Sequence, residues 1–537
     1  MKIKKILFPL ILLASTFSLL GCGKNIKNNY AYDLDFNVDV SGTTINFWAG
    51  FGSDISDVLE DLLDEFYSLT GVKVNYESKS SYDSCLKAVT LAASSGSYPH
   101  VVVGYPDHFA SYVKSDIIVR LDYYLENDVH NATFEPEGEN FSLSDFYSDY
   151  VVENQSIEFD KEGNPYTLGV PFNKSTEVMI YNKTFFDWCA NQNNLKDKIY
   201  LPTTYDELES VGKAILEYFK QNNVYGHILY NDGTTNKGTQ TEKDIVIDLT
   251  GVTAPTGENI TTQFKPFEYD SQANFFITTV RQNGGTYTTY DKSTNKGYLA
   301  FDSNETKTGL NYLKQLYDEN VLALSADFGE EKYGSTPFKA CQCVMMVGSS
   351  AGVANAAPAG NKFKIAAAPV PFKNENNKYV ISQGANLALL DTGSRAQRVA
   401  SWQLIKFLSK YANGPFCSMT GYYPSCSYAE QADNTGKAGL WANVDTEEYS
   451  DYATWLNEAK ESMNQTDNIR AQTAEVNLNS YVKTSEKWTK FVDQPFSGSA
   501  DVRNAVASII PWVVTGQYTA EQAISAMYSQ LSDYVRK

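Results

Sequence analysis

Few residues of this chain fall into patterns that catalysis could use. Gly348-Ser349-Ser350-Ala351-Gly352 fits G-x-S-x-G, the nucleophile elbow, and it follows an apolar strand-like run, which is the context that motif needs. In that fold the acid and then the histidine come after the serine. The four histidines, His100, His108, His130 and His227, all precede Ser350, so chain order rejects a serine hydrolase. No HExxH, P-loop or GxGxxG pattern stands out. Four imidazoles in 537 residues leave little for histidine catalysis or a histidine-rich metal centre, and neither metal nor cofactor is expected. With 64 acidic residues, carboxylate pairs are too common to single out a glycosidase couple. Beyond Cys22, six cysteines remain: Cys85, Cys189, Cys341, Cys343, Cys417 and Cys426. That is too sparse for a disulfide scaffold, so buried thiols are expected, with a Cys417–Cys426 bridge as the alternative.

The elements around these residues come from a chain long enough for two to four domains. Hydrophobic residues make up 42% and charged residues 20%, which supports a large core and rules out wholesale disorder. The net charge of -20 repels phosphate backbones and acidic lipid surfaces alike, so no nucleic-acid partner is expected.

Lys2, Lys4 and Lys5 precede an apolar run from Ile6 to Leu20, the layout of a signal peptide and too short for a comfortable membrane span. The run ends in Leu19-Leu20-Gly21-Cys22, which resembles a bacterial lipobox. That resemblance implies cleavage before Cys22 (signal peptide 1–21) and a lipid on its sulfur, anchoring the chain to the outer face of the cell membrane. The polar stretch 22–42 reads as a flexible tether.

An alternating pattern follows. Thr44–Ala49 is strand-like, and Ser53 offers a helix N-cap. Ile55, Val58, Leu59, Leu62, Leu63, Phe66 and Leu69 make one helical face, and Gly71 stops it. Val72–Tyr76 is a strand, a helix spans about 81–95, and Val101-Val102-Val103 reads as a fully buried strand. This β-α-β-α-β order predicts a largely parallel sheet with right-handed crossovers. Further on, Thr204-x-x-Glu207, Ser394-x-x-Gln397 and Thr519-x-x-Gln522 are capping boxes, each opening a helix. Cys343–Val347 is a buried strand. Residues 230–262, rich in Thr, Gly and Asn, read as an inserted loop or small subdomain, and the insertion is expected to span 230–300.

Six segments, in order, resemble the extracellular solute-binding proteins of ABC importers, in the branch that binds oligosaccharides and glycerol phosphates. They are the strand ending at Trp48 with its helix and Thr70-Gly71-Val72-Lys73-Val74; Ala92–Gly96 with Pro99; Gly169–Thr176 running into Tyr181-Asn182-Lys183; Pro202–Leu208; Gly421-Tyr422-Tyr423-Pro424; and Phe496–Ser499 with Arg503. His100 stands where that family usually has Asp, a departure. The resemblance covers 43–537 outside the 230–300 stretch. It implies an α/β, two-lobe periplasmic-binding-protein type II fold, hinged, each lobe with a central sheet flanked by helices. Lobe one would be 43–169 plus 384–420, and lobe two 170–383 plus 421–537, with a third crossover between Gly421 and about Ser427. A carbohydrate in the cleft is the expected ligand, handed by a monomer to a separate ABC permease. Glycerol-3-phosphate or a glycerophosphodiester is the alternative, and a lipid-anchored glycoside hydrolase or an adhesin ranks behind both.

Sugars present apolar C–H faces and a rim of hydroxyls, so rings and small polar groups at the cleft are the candidates. Trp48, at the end of the first strand, is either a ligand platform or a core residue. Tyr82 begins a helix and faces the cleft mouth or the core. Ser175 lies in the hinge block, where its hydroxyl could meet a ligand hydroxyl or phosphate. Ser349 and Ser350 follow a buried strand, where backbone N–H groups can face a ligand. Gly384 and Asn386 occupy the second crossover. Of Tyr422 and Tyr423, one could stack on a ligand. Arg503 is either the partner of a phosphate or carboxylate, or half of a surface salt bridge.

Overall fold

The computed structural model describes residues 34–138, 140–222, 227–228, 247–248, 264–330, 333–359, 363–426, 452–482 and 488–536. The expected signal segment, Cys22 and most of the expected tether lie outside the described residues.

β1 (Thr44–Ala49) alternates exposed and buried positions until it ends under the first core. α1 (Ser53–Thr70) buries Val58, Leu59, Leu62, Leu63 and Phe66, the face its periodicity predicts. Its N-cap is Gly52, one residue before the expected Ser53, and no side chain caps it. Gly71 closes the helix at φ 69°, a left-handed position that favours glycine. β2 (Lys73–Ser78) and β3 (Val101–Gly104) both pair with β1 in parallel, as the β-α-β-α-β order requires. Between them α2 (Tyr82–Ala93) starts at Ser81, whose side chain accepts from the Ser84 N–H. α3 (Pro106–Lys114) follows β3, with Pro106 in its first turn.

β4 (Val170–Asn182) is the strand that joins the two halves. The remaining strands are a short pair, β5 (His227–Ile228) and β6 (Ile247–Asp248); β7 (Phe267–Tyr269); a hairpin of β8 (Thr288–Asp291) and β9 (Lys296–Leu299); β10 (Leu322–Ala323); β11 (Met345–Ser349); β12 (Ile365–Ala368); β13 (Tyr379–Leu389); and β14 (Thr489–Phe491). One ten-stranded sheet runs in the order β10-β7-β11-β4-β13-β3-β1-β2, with β12 on β4 and β14 on β13. The first half of β4, Val170–Thr176, lies antiparallel to β13. Its second half, Glu177–Tyr181, lies antiparallel to β11.

The side chains change core at the same place. Val170 and Phe172 pack with Phe47, Phe66 and Trp402, whereas Val178, Met179 and Ile180 pack with Phe267, Phe275 and Val347. On β13 the change falls between Ile381 and Ala385. Two cores therefore share two strands.

Two boundaries differ from the sequence reading. Within the expected insertion 230–300, β7 is a strand of the main sheet, and the helix Gln272–Gln282 fully buries Phe275, Phe276, Ile277 and Val280. The expected insertion therefore contributes 264–282, with Tyr287 and Leu299, to the second core; residues 229–246 and 249–263 lie outside the described residues. After Gly421, the chain does not go directly to lobe two. Tyr422, Tyr423, Cys426, Tyr452 and Trp455 pack in the first core, and the second core is joined by Val502, Val506, Ile509, Ile510 and the final helix. The six cysteines outside the signal region are all buried. Burial pushes the Cys85 thiol up to about 12 and raises those of Cys189 and Cys343 well above the ordinary thiol value, so these three stay protonated.

Candidate functional site

Where β4 and β13 pass from one core to the other, a cavity of ≈ 1140 Å³ opens between the lobes. Six of the ten sequence-derived binding candidates line it: Tyr82, Ser175, Ser349, Gly384, Tyr422 and Arg503.

The base of the cavity is held by contacts between distant segments. Asn173 Nδ2 donates to the Tyr82 hydroxyl at 2.6 Å, and that hydroxyl lies 3.3 Å from the hydroxyl of Tyr422. The Tyr422 ring stacks on Phe416 at 5.9 Å with 10° between planes. Burial pushes both phenols up, so they remain neutral hydrogen-bonding groups. Gly384 sits at φ 90°, beside a register shift in the β4–β13 ladder. A Cβ there would collide with the Asn173 carbonyl oxygen. Glycine is what lets the two strands approach at the crossover.

Glu177 is a floor residue that the sequence reading missed. It lies two residues after Ser175 on β4, hence on the same face, and that period of two was the signal that could have found it. Its carboxylate accepts from the Tyr269 hydroxyl and from Asn274 Nδ2 at 2.8 Å. Burial raises its pKa to about 7, with the two hydrogen bonds and the charge of Arg503 acting against the rise. Arg503 donates to Asn274 Oδ1, so one amide side chain is held between guanidinium and carboxylate. Asn274 itself lies within the expected insertion 230–300.

The lobe-one wall carries Tyr82, Asp83, Tyr105, Asp107 and His108; the lobe-two wall carries Asp270, Asn274, Tyr287, Asp493 and Lys339. Of these only Tyr82 was anticipated. The lobes touch along the rim. Lys490 Nζ donates to the Tyr150 hydroxyl at 2.6 Å, Gln494 donates to the Ser156 carbonyl, and Lys292 lies 4.3 Å from the Phe159 ring centroid. The helix Ser499–Val506, which carries Arg503, packs against α3.

Four candidates lie behind the cavity rather than on it. Trp48 is half-buried beneath Lys79, whose Nζ stands 3.7 Å from the ring centroid. Ser350 is buried and its Oγ accepts from the Thr176 N–H at 3.2 Å, tying β4 to the turn after β11. Tyr423 donates to the Thr473 carbonyl at 2.9 Å. Asn386 Oδ1 accepts from Lys174 Nζ at 2.6 Å and from Asn154 Nδ2 at 2.9 Å. Lys174 in turn pairs with Glu153, both buried. Burial pushes the lysine down and the carboxyl up, while their mutual attraction opposes both shifts. Among the described residues no group of histidine, cysteine and acidic side chains is arranged to hold a metal ion.

Solved structures share this architecture. UgpB from Mycobacterium tuberculosis, in complex with glycerophosphocholine, aligns with a TM-score of 0.61 at 16% identity, covering 92% of this chain and 98% of that one. An ABC substrate-binding protein from Listeria monocytogenes in complex with cycloalternan aligns at 0.60 and 14%, covering 91% and 98%. Maltose-bound MalE3 of T. maritima aligns at 0.59 and 14%, covering 92% and 100%. At such identities the likeness establishes the two-lobe type II binding-protein fold. No curated protein matches by sequence. Residues 61–440 match the family described as bacterial extracellular solute-binding protein. That match spans most of the chain and describes binding proteins rather than enzymes: the chain belongs to the bacterial extracellular solute-binding proteins.

Proposed function

We propose that this chain captures a carbohydrate in the interlobe cavity and delivers it to the permease of an ABC importer, while the lipid on Cys22 holds it at the outer face of the membrane. The observation that carries the reading is the cavity's lining. Tyrosine rings from both lobes stand beside carboxylates, amides and hydroxyls, the mixture that suits the apolar faces and hydroxyl rim of a sugar. The volume of ≈ 1140 Å³ lies just above the usual range for small-molecule sites, which favours an oligosaccharide over a single ring. Similar folds were solved with maltose and with cycloalternan. Interlobe placement means that closure buries the solute, and the closed form is what a permease would read.

Glycerol-3-phosphate or a glycerophosphodiester is the second reading. Arg503 on the cavity wall and the glycerophosphocholine complex of a similar fold favour it. Against it stand the engagement of Arg503 by Asn274 and the carboxylates on both walls.

Thermal unfolding of the purified chain against oligosaccharides, glycerol phosphates and peptides tests both readings. A ligand at 100 times its Kd adds about 2.7 kcal/mol of stability. A rise with oligosaccharides alone supports the first reading. A rise with phosphates alone replaces it with the second, and a rise with peptides alone overturns both.

A further inference from the structure

The lobe-one wall has a chemistry that a neutral sugar does not require. Tyr82 and Tyr105 lie with ring centroids 4.7 Å apart and 52° between planes, so two aromatic rings meet at an angle beside the cavity. Asp83 follows Tyr82 in the first turn of α2, and Asp107 lies in the first turn of α3, two residues after Tyr105. Among the described residues no lysine or arginine lines this wall.

A second observation comes from His108, which is 3% exposed and lines the same wall. Its Nε2 is 3.9 Å from Asp107 Oδ1, and its Nδ1 has no hydrogen-bond partner. Burial lowers its pKa, so the ring is neutral near pH 7. With the proton on the nitrogen that faces the carboxylate, Nδ1 is left as an acceptor. The wall thus presents two carboxylates and two aromatic rings, backed by a buried imidazole whose Nδ1 is an unfilled acceptor, and a cation suits that setting. Arg503 approaches from the opposite wall and keeps its charge while its guanidinium donates to Asn274, so two carboxylates stand against one cation here.

We propose that this wall is a cation subsite, recognising an ammonium group carried by the solute: the amine of an aminosugar or the trimethylammonium of a choline head. The proposal rests on the cavity's being the solute site.

Two ligand pairs test it on the full chain by isothermal titration at pH 6 and low salt. Glucosamine trimer is compared with N-acetylglucosamine trimer, which keeps the backbone and loses the charge. Glycerophosphocholine is compared with glycerol-3-phosphate, which lacks the ammonium. The ammonium-bearing member of one pair is expected to bind at least tenfold tighter than its partner. Asp83→Asn with Asp107→Asn should cut that preference below threefold while the melting temperature in the absence of ligand is kept; Asn at 107 still offers an oxygen to the His108 backbone N–H, which Asp107 Oδ1 now accepts at 2.9 Å. Preference in the sugar pair makes the source an aminosugar, and preference in the other pair makes it a choline head. Equal or tighter binding of the partners that lack the ammonium overturns the subsite and leaves the solute reading standing. A preference that survives in the double variant also overturns it. Failure of all four to bind overturns the subsite, and the thermal panel of oligosaccharides and glycerol phosphates then decides the solute reading separately.

Discussion

Tyr82 and Tyr422 are 340 positions apart in the chain, yet their hydroxyls lie 3.3 Å from each other at the base of the cavity. One begins a helix of the N-terminal half, and the other follows the glycine that ends the helix Asn413–Thr420. Asn173, on β4, donates to the first of them, so three chain segments meet where the lobes join. This contact couples the lining of the cavity to the packing of the first core.

That coupling sets the first prediction. Tyr422→Phe and Tyr82→Phe each remove one hydroxyl, and a double-mutant cycle on unfolding free energy should return a coupling of about 1 kcal/mol. Tyr422→Ala removes a ring that is 6% exposed and stacked on Phe416. It should destabilise the fold by roughly 3–5 kcal/mol as well as weaken ligand binding. Unchanged urea midpoints in both phenylalanine variants would refute the coupling.

Trp48 should behave differently. It lies outside the cavity lining, under Lys79. Trp48→Phe is expected to leave ligand affinity within about twofold, because the substitution touches no lining atom. A loss of tenfold in titration calorimetry would return Trp48 to the binding surface.

Glu177 predicts a pH dependence. Its pKa is about 7 in the fold, above that of an exposed glutamate. A raised carboxyl contributes stability at low pH, and that contribution disappears as pH rises through about 7. Glu177→Gln removes the titration while keeping an oxygen for Asn274. The stability of the wild type relative to the variant should therefore fall between pH 5 and pH 8, by on the order of 2 kcal/mol. Denaturant unfolding at the two pH values reads it. A difference that is flat or rises with pH would show that Glu177 does not carry a raised pKa.

Lys174 and Glu153 form a buried pair beside the crossover. Lys174→Met leaves the carboxyl buried without its cation and should cost about 3–5 kcal/mol. Adding Glu153→Gln should recover part of that loss. A single variant as stable as wild type, by thermal or urea unfolding, would mean that the pair contributes little.

Gly384→Ala places a methyl group against the Asn173 carbonyl at φ 90°. A loss of more than about 2 kcal/mol is expected, from backbone strain and the clash together. Melting temperature checks it, and a neutral outcome would mean that the β4–β13 crossover tolerates a wider spacing.

Much of the local structure was legible in the residues alone. The parallel start of the sheet, the apolar face of α1, the stop at Gly71 and the boxes at Ser394 and Thr519 follow from contacts within a few positions, and each is present. Ordered motifs were enough to point to the family. The cavity was a different matter. Local pattern put Trp48 and Asn386 among the binding candidates as readily as Tyr82, because a buried ring and a lining ring have the same sequence signature. It passed over Asp107, Glu177 and Asn274, which are unremarkable polar residues until the fold turns them inward. Which side chains face the solute depends on how β4 and β13 hand the chain from one core to the other, and on which distant segments meet there. Periodicity is enforced by neighbours in the chain, whereas a cleft is enforced by packing between segments up to hundreds of positions apart, and only the tertiary structure decides that.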